Sequence, residues 1–437
     1  MTRASCVAPA AGLFAFASVA TALRFAGLPF GVGELCGIVL VIVAVVRWRA
    51  RDHLRHPLML FWYGFGLATG VGFLFGSIQG SDVMHTAVAY VYAACLSLMA
   101  LSFLDGISKR DLRRIIVVTS VLSVALLVVP FSGFLYGQNA LTEALGVSHE
   151  LPSRLSGWSK NPNQLAFFML TLPIWLAAVL AEADWRGWRG VVNFLFLLVL
   201  SVFGLSIRSD GLVVSWVFGL SLLAVVTPLA GKANWRELGT MAAAFLVAFC
   251  LFKIFIDGFG CVPAEKAGSS VESVESGRNE GRWCLAAVTG FSPASSDSVF
   301  GIGFGENKGE VRERLWKHAI GAWRQSLVFG HGPGVFSYMD DPAEREEAHN
   351  IFLDILTQGG IVAAALFAAL YLWLMAMAWK ARDPYALTVL VILMLFGGAH
   401  FMLRQPMLTL NLALCAVVSG HGWFGRRAGN QNHEEAA

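Results

Sequence analysis

Apolar stretches long enough to cross a lipid bilayer recur along almost the whole of this 437-residue chain. A hydrocarbon core about 30 Å thick takes roughly 20 apolar residues to span as a helix. Inside it the backbone must satisfy its own hydrogen bonds, which leaves helices or a closed barrel. Runs of this length exclude barrel strands, which need only about 10 residues each. The sequence predicts an all-α polytopic membrane protein with about twelve spans: 8–26, 29–46, 57–77, 84–104, 115–136, 164–181, 191–207, 212–229, 239–256, 357–379, 385–403 and 407–424. Composition agrees, with 56% hydrophobic and only 14% charged residues, against about 25% charged in a typical soluble domain.

Charge in the connections gives the expected orientation. The linkers after even-numbered runs, together with Arg3 and the C-terminal tail, carry 17 Lys and Arg. The short linkers on the other side carry five: Arg24, Arg154, Lys160, Arg208 and Arg404. Short basic loops stay in the cytoplasm, so both termini are expected there. Met1–Ala26, basic at its start and then apolar, reads as a retained signal-anchor. The chain then divides into spans one to nine (1–256), a long outside loop (257–348), and spans ten to twelve with the tail (349–437).

The front half of the long loop, CVPAEKAGSSVESVESGRNEG, is rich in Ser, Gly and Glu and too polar to bury a core. The back half, VRERLWKHAIGAWRQSLVFGHG, sets Leu315, Ala319, Ala322 and Trp323 at helical spacing and stops at Gly330. It is expected to form an amphipathic helix on the bundle's outer surface, with Trp316 and Trp323 at the interface. Cys6, Cys36, Cys95, Cys250 and Cys415 lie in or beside spans and read as small buried hydrophobes. Cys261 and Cys284 share the outside loop, where an oxidising compartment permits a disulfide. If they are bonded, alkylation of the intact protein will label two more thiols after reduction than before; identical labelling would exclude the bond.

Candidate chemistry gathers at the outer boundary. Arg208 lies in a very short connection, Arg404 between the last two spans, and Arg154 and Lys160 just before Asn161 and Asn163 at the start of the sixth span. Arg312 opens the surface helix. Any one of these arginines alone is explained as a headgroup anchor. Several around one outer cavity would suit a diphosphate, because a guanidinium presents a planar fork of donors to phosphate oxygens. His349, followed by Asn350 at the mouth of a span, is the candidate proton acceptor. A histidine hydrogen-bonded within a loop is the alternative. His331 in GHGPG reads as structural, His318 as solvated, and Asp340-Asp341 as a solvated pair.

No HExxH, paired Cys-x-x-Cys or Walker-type loop occurs, so no metal, cofactor or nucleotide is expected to act through this chain. Nothing points to nucleic acid. A transporter would carry ionisable residues deep in its spans, whereas here Glu34 and Lys253 are the main exceptions.

Three stretches, GWSKNPNQLA (157–166), RERLWKHAIGAWRQSLVFGHGPGVF (312–336) and AHNIFLDILTQGGI (348–361), resemble the O-antigen ligase and polymerase superfamily of bacterial inner-membrane glycosyltransferases. The resemblance implies a donor glycan on undecaprenyl diphosphate at the periplasmic face. The acceptor would be a hydroxyl of the lipid A core for a ligase, a growing glycan for a polymerase, or a protein in a third branch. It matches His349, with Asn350 beside it, to the family's late-loop histidine, and Arg312 to the arginine four residues before the loop tryptophan, here Trp316. Arg208 fits the arginine after the seventh span, although this chain reads Ile-Arg-Ser-Asp-Gly where the family often has Ser-Arg-Gly. Gly330, Gly332 and Gly334 stand at the family's loop glycines. The implied reaction is a single displacement with inversion and without metal, His349 taking the acceptor's proton and Arg208, Arg312 and Arg404 holding the diphosphate.

Overall fold

The computed structural model of the chain describes isolated positions between 11 and 23 and residues 31–47, 50–78, 80, 83–136, 140–145, 147, 154–159, 161–181, 187–231, 235–256, 306–335 and 347–424. Every regular element among them is helical. In chain order they are α1 (Val32–Arg47), α2 (Pro57–Phe75), α3 (Val83–Asp105), α4 (Lys109–Tyr136), the short α5 (Ala140–Ala144), α6 (Pro162–Leu180) and α7 (Gly187–Ser206). There follow α8 (Asp210–Leu229), α9 (Trp235–Leu251, continued by a π turn to Ile256), α10 (Glu306–Gln325), α11 (Ile351–Lys380), α12 (Pro384–Gly397) and α13 (Pro406–His421). Eight of the described helices are long and apolar enough to cross a membrane, and three more, α1, α12 and α13, are apolar but shorter. Cys261, Cys284, Cys6, Lys160, Asp340 and Asp341, and the front of the long loop, lie outside the described residues.

Local chemistry sets where helices begin. Pro57, Pro162, Pro384 and Pro406 each occupy the first turn, where a missing N–H costs nothing. His56, Asn161 and Asp383 cap three of these starts, their side chains accepting from backbone N–H groups at 3.2, 2.9 and 3.0 Å. Helix α6 is buried along almost its whole length and packs against α4, α7, α8 and α12. Around it α2 lies along α11, α3 along α13, α7 along α9 and α8 along α12. Exposed Leu67, Leu74, Val225, Leu229, Ile254 and Leu372 belong to the outward faces, as a bundle solvated by lipid requires.

Alternate connections collect at two polar ends. At one, Asp105 lies between His53 (3.8 Å) and His421 (3.6 Å). The other holds the start of α6, the α7–α8 and α12–α13 connections and the start of α11.

Two span boundaries differ from the sequence expectation. The run 385–403 ends as helix at Gly397, because a Gly-Gly pair breaks it while the apolar composition continues. The run expected to start at 357 is helical from Ile351, but its first two turns bury Asp354, Thr357 and Gln358 inside the protein.

That second helix is broken. Gly360 has φ 63° and ψ −162°, so Thr357 and Gln358 lose their helical partners. Their carbonyls accept instead from His331 and Gly332 N–H, both at 2.9 Å. Beyond the break, Ile361 and Val362 N–H donate to the carbonyls of Leu327 and Val328 at 2.9 and 3.2 Å. The segment after α10 is thereby stitched into the gap by four backbone hydrogen bonds. His331 completes the join: Nδ1 accepts from Ile78 N–H (3.3 Å), so the ring proton sits on Nε2, which donates to Ala322 O (2.7 Å). It is the structural histidine the sequence suggested.

Gly360→Ala should be poorly tolerated. Its Cβ would lie 2.2 Å from Val328 O at a positive φ. We expect a loss of about 2 kcal/mol or more, read as a lowered thermal midpoint in detergent. Gly239→Ala, which meets nothing within 4 Å in α9, should leave the midpoint unchanged or raise it.

Candidate functional site

His349 sits in a turn whose backbone is held from both sides. The Asp354 carboxylate, fully buried, accepts from Ala348 N–H (3.1 Å) and Asn350 N–H (3.4 Å). Asn350 caps α11, its Oδ1 accepting from Phe352 N–H (3.0 Å) and Leu353 N–H (3.3 Å). Trp316 of α10 donates from Nε1 to Ala348 O at 3.0 Å. Between these ties His349 takes φ 50°, a left-handed conformation that costs a non-glycine residue about 1 kcal/mol or more.

Helix α10 is built as its pattern predicts. Leu315, Ala319 and Ala322 are buried and Trp316 is partly exposed. Arg312, one turn before Trp316, is carried on the same face toward the His349 turn.

Arg208 is the middle residue of the three that join α7 to α8, and it too is left-handed, with φ 53°. Its guanidinium lies 5.9 Å from the ring centres of both Phe134 and Phe252, within cation–π range. The segment before α6 is fastened to this turn: Leu155 N–H donates to Ser206 O and Arg154 Nε to Ile207 O, both at 2.9 Å. Arg154 also donates from Nη2 to Asn163 Oδ1 at 3.0 Å. Burial lowers the pKa of the Arg154 guanidinium, Asp210 pulls it back and Arg208 pushes it down again. These opposing charges are therefore close neighbours. Asn161 and Asn163, expected as supporting residues, are respectively the cap of α6 and an arginine acceptor.

A residue that the sequence reading passed over joins the two halves. His400, in the α12–α13 connection, is 9% exposed. Its ring rests on Phe396 (centroids 4.3 Å apart) and its Nε2 is 3.1 Å from where a Cβ on Gly211 would be. One turn earlier, a Cβ on Gly397 would touch Ile351, the first residue of α11. His400 is thus wedged between the Arg208–Gly211 turn and the His349–Ile351 turn. Burial lowers its pKa to about 3, with the charges of Arg312, His349 and Arg154 acting in the same direction. The three groups that act on it come from three different elements at this end of the bundle. His400 was overlooked because it fell within an apolar run taken to be helical; the preceding Gly397-Gly398 was the available signal.

Arg404 stands slightly apart. It forms an ion pair with Glu347 and lies 5.5 Å from the Phe401 ring centre, so part of its donor capacity holds the residue two before His349. Among the described residues no group of three His, Cys, Asp or Glu side chains is arranged to hold a metal ion.

Fold and site together define a multi-pass helical membrane protein that carries His349, His400 and several arginines on the connections at one end of its bundle. Residues 165–368, just under half of the chain, match the family model described as O-antigen ligase (Wzy_C), which supports the O-antigen ligase superfamily, whose members are membrane glycosyltransferase-like enzymes. The match takes in Arg208, Arg312 and His349. Comparison with curated proteins found no match.

Trp316→Phe keeps the ring and removes the donor to Ala348 O. It should cost about 1 kcal/mol and loosen the histidine turn. Hydrogen–deuterium exchange at residues 347–350 should quicken, while α12 exchanges as before.

Proposed function

We propose that this protein transfers a glycan from undecaprenyl diphosphate to a sugar hydroxyl of the lipid A core, as an O-antigen ligase does, at the periplasmic face of the bacterial inner membrane. The supporting observation is that the elements carrying His349, Arg312, Arg154 and Arg208 adjoin at one end of the bundle, the Arg154 segment bonded to the Arg208 turn and the His349 turn to α10. The family match is the second support. On this reading the bundle has twelve spans, both termini are cytoplasmic, and the pocket faces outward, as the basic linkers favour.

The acceptor oxygen attacks the anomeric carbon as the bond from that carbon to the diphosphate oxygen breaks. The electron pair leaves with undecaprenyl diphosphate, and the acceptor's proton passes to His349. A single displacement inverts the anomeric centre. Arg208, Arg312 and Arg154 stabilise the charge growing on the diphosphate, a term that is large where water is scarce and donors are held in place. Arg404 supports the histidine turn through Glu347. The prenyl tail lies among the helices, where an apolar cavity of about 320 Å³ bordered by Phe14, Leu40, Phe103, Ile116, Trp175 and Leu414 offers room for hydrocarbon.

His349→Ala should lower transfer about 10²- to 10⁴-fold, and Arg208→Ala by a similar factor, with both variants inserted at wild-type levels. The measurement is complementation of a deletion strain read on a lipopolysaccharide gel. Loss of all glycan-bearing bands supports ligation, and a single-repeat band points to polymerisation. Full transfer by a well-expressed His349→Ala variant removes the base assignment.

A further inference from the structure

The start of α8 carries polar groups that the proposed reaction does not yet use. Ser209 caps the helix without a side-chain hydrogen bond to its backbone. Its hydroxyl is buried and has no hydrogen-bond partner among the described residues. The first N–H groups of a 20-residue helix face outward beside it with a partial positive charge. Against this turn lies His400, nine-tenths buried, with Nε2 against Gly211 and no side-chain hydrogen bond among the described residues. A buried hydroxyl and a buried imidazole beside a helix N-terminus make a seat for an anion. Buried polar groups are otherwise hydrogen-bonded in nearly every protein.

We propose that the diphosphate of the lipid-linked donor sits on the first turn of α8, bonded by Ser209 and by His400, and that His400 takes up a proton as the anion binds. The assignment rests on the transferase reading and adds to it a residue and a linked proton. The charged and titratable groups facing His400 are Arg312 on α10, His349 before α11 and Arg154 before α6. Asp210, on the same turn of α8, is the neighbour of Arg154. Burial first, and then the three positive or protonatable neighbours, keep the imidazole neutral in the free protein. A bound diphosphate brings more than one negative charge and reverses the sign of that field. The pKa of His400 is then higher in the bound state than in the free one. Proton uptake follows between those two values, and affinity rises as pH falls through that window. The proton comes from solvent, and no covalent bond changes in the step.

The test uses the full-length protein in detergent with farnesyl diphosphate as probe. Titration calorimetry in buffers of different ionisation enthalpy, at about pH 5.5, reads affinity and protons together. The wild type should bind with proton uptake beyond that of the probe itself. His400→Gln should bind about 10- to 100-fold more weakly and lose that uptake. Gly211→Ala keeps the histidine but crowds its Nε2, and should weaken binding in the same direction. Wild-type affinity and uptake in His400→Gln would overturn the proposal, as would a wild type that does not bind the probe. The first result leaves the transferase reading untouched, since that stands or falls on glycan transfer by His349→Ala and Arg208→Ala; the second counts against both. Loss of uptake without loss of fold, checked by thermal midpoint, separates this role from a purely structural one.

Discussion

A helix interrupted within a membrane protein must have its freed backbone groups satisfied by something other than lipid. Each orphaned N–H or C=O in an apolar surrounding costs several kcal/mol. The break in α11 at Gly360 frees two carbonyls and two N–H groups, and the segment Leu327–Gly332 supplies four matching partners. Nothing longer than a backbone fits there: at Gly330 a Cβ would come within 2.6 Å of Thr357 O, and its φ of 64° already favours glycine. The segment between α10 and α11 is therefore part of the bundle at Leu327–Gly332 rather than a tethered appendage. Helix α10 comes with it, and with α10 come Arg312 and the Trp316 tie to the histidine turn.

Two of the three non-glycine residues with positive φ among the described residues are Arg208 and His349, the pair that sequence reasoning put at the centre of the chemistry. Such conformations persist only where surroundings over-determine them. For His349 the surroundings are Asp354, the Asn350 cap and Trp316. For Arg208 they are a three-residue connection, two aromatic rings and the Arg154 brace. A left-handed residue in a tight turn projects its side chain away from both flanking helices, which suits groups that must reach a substrate.

The fold class was open to sequence reasoning because lipid imposes length and composition together, and runs such as 115–136 leave little else to consider. The amphipathic α10 was legible for the same reason, since Leu315, Ala319 and Ala322 keep helical register. What stayed hidden were long-range pairings. GHGPG and TQGG read as two separate turn signals, yet they are the two halves of one backbone join, His331 bonded to Thr357 and Gly332 to Gln358. Asn350 and Asn161 looked like candidate site residues by adjacency and turned out to be caps, which local residue type alone could have suggested. His400 was masked by its apolar neighbours, because hydropathy over a window averages away a single histidine. Arg404 was visible as a cation, but its pairing with Glu347 depends on a contact across 57 positions.

The grouping of Arg154, Arg208 and Arg312 near Asp210 has a consequence for how the pocket rests when empty. Among the described residues, Asp210 is the carboxylate that lies beside Arg154, while Glu347 is engaged by Arg404. Like charges brought this close repel, and partial burial strengthens the repulsion by weakening the solvent's screening. The protein limits the cost by spreading it: Phe134 and Phe252 face one guanidinium, backbone and amide oxygens take another. What remains is a positive field held by rigid elements, which adds to the burial that keeps His400 neutral far below the usual range of an imidazole. A dianionic ligand entering that field meets donors already oriented toward it. The reorganisation that water would require has been done in advance by folding, and groups held in this way stabilise charge that develops beside them.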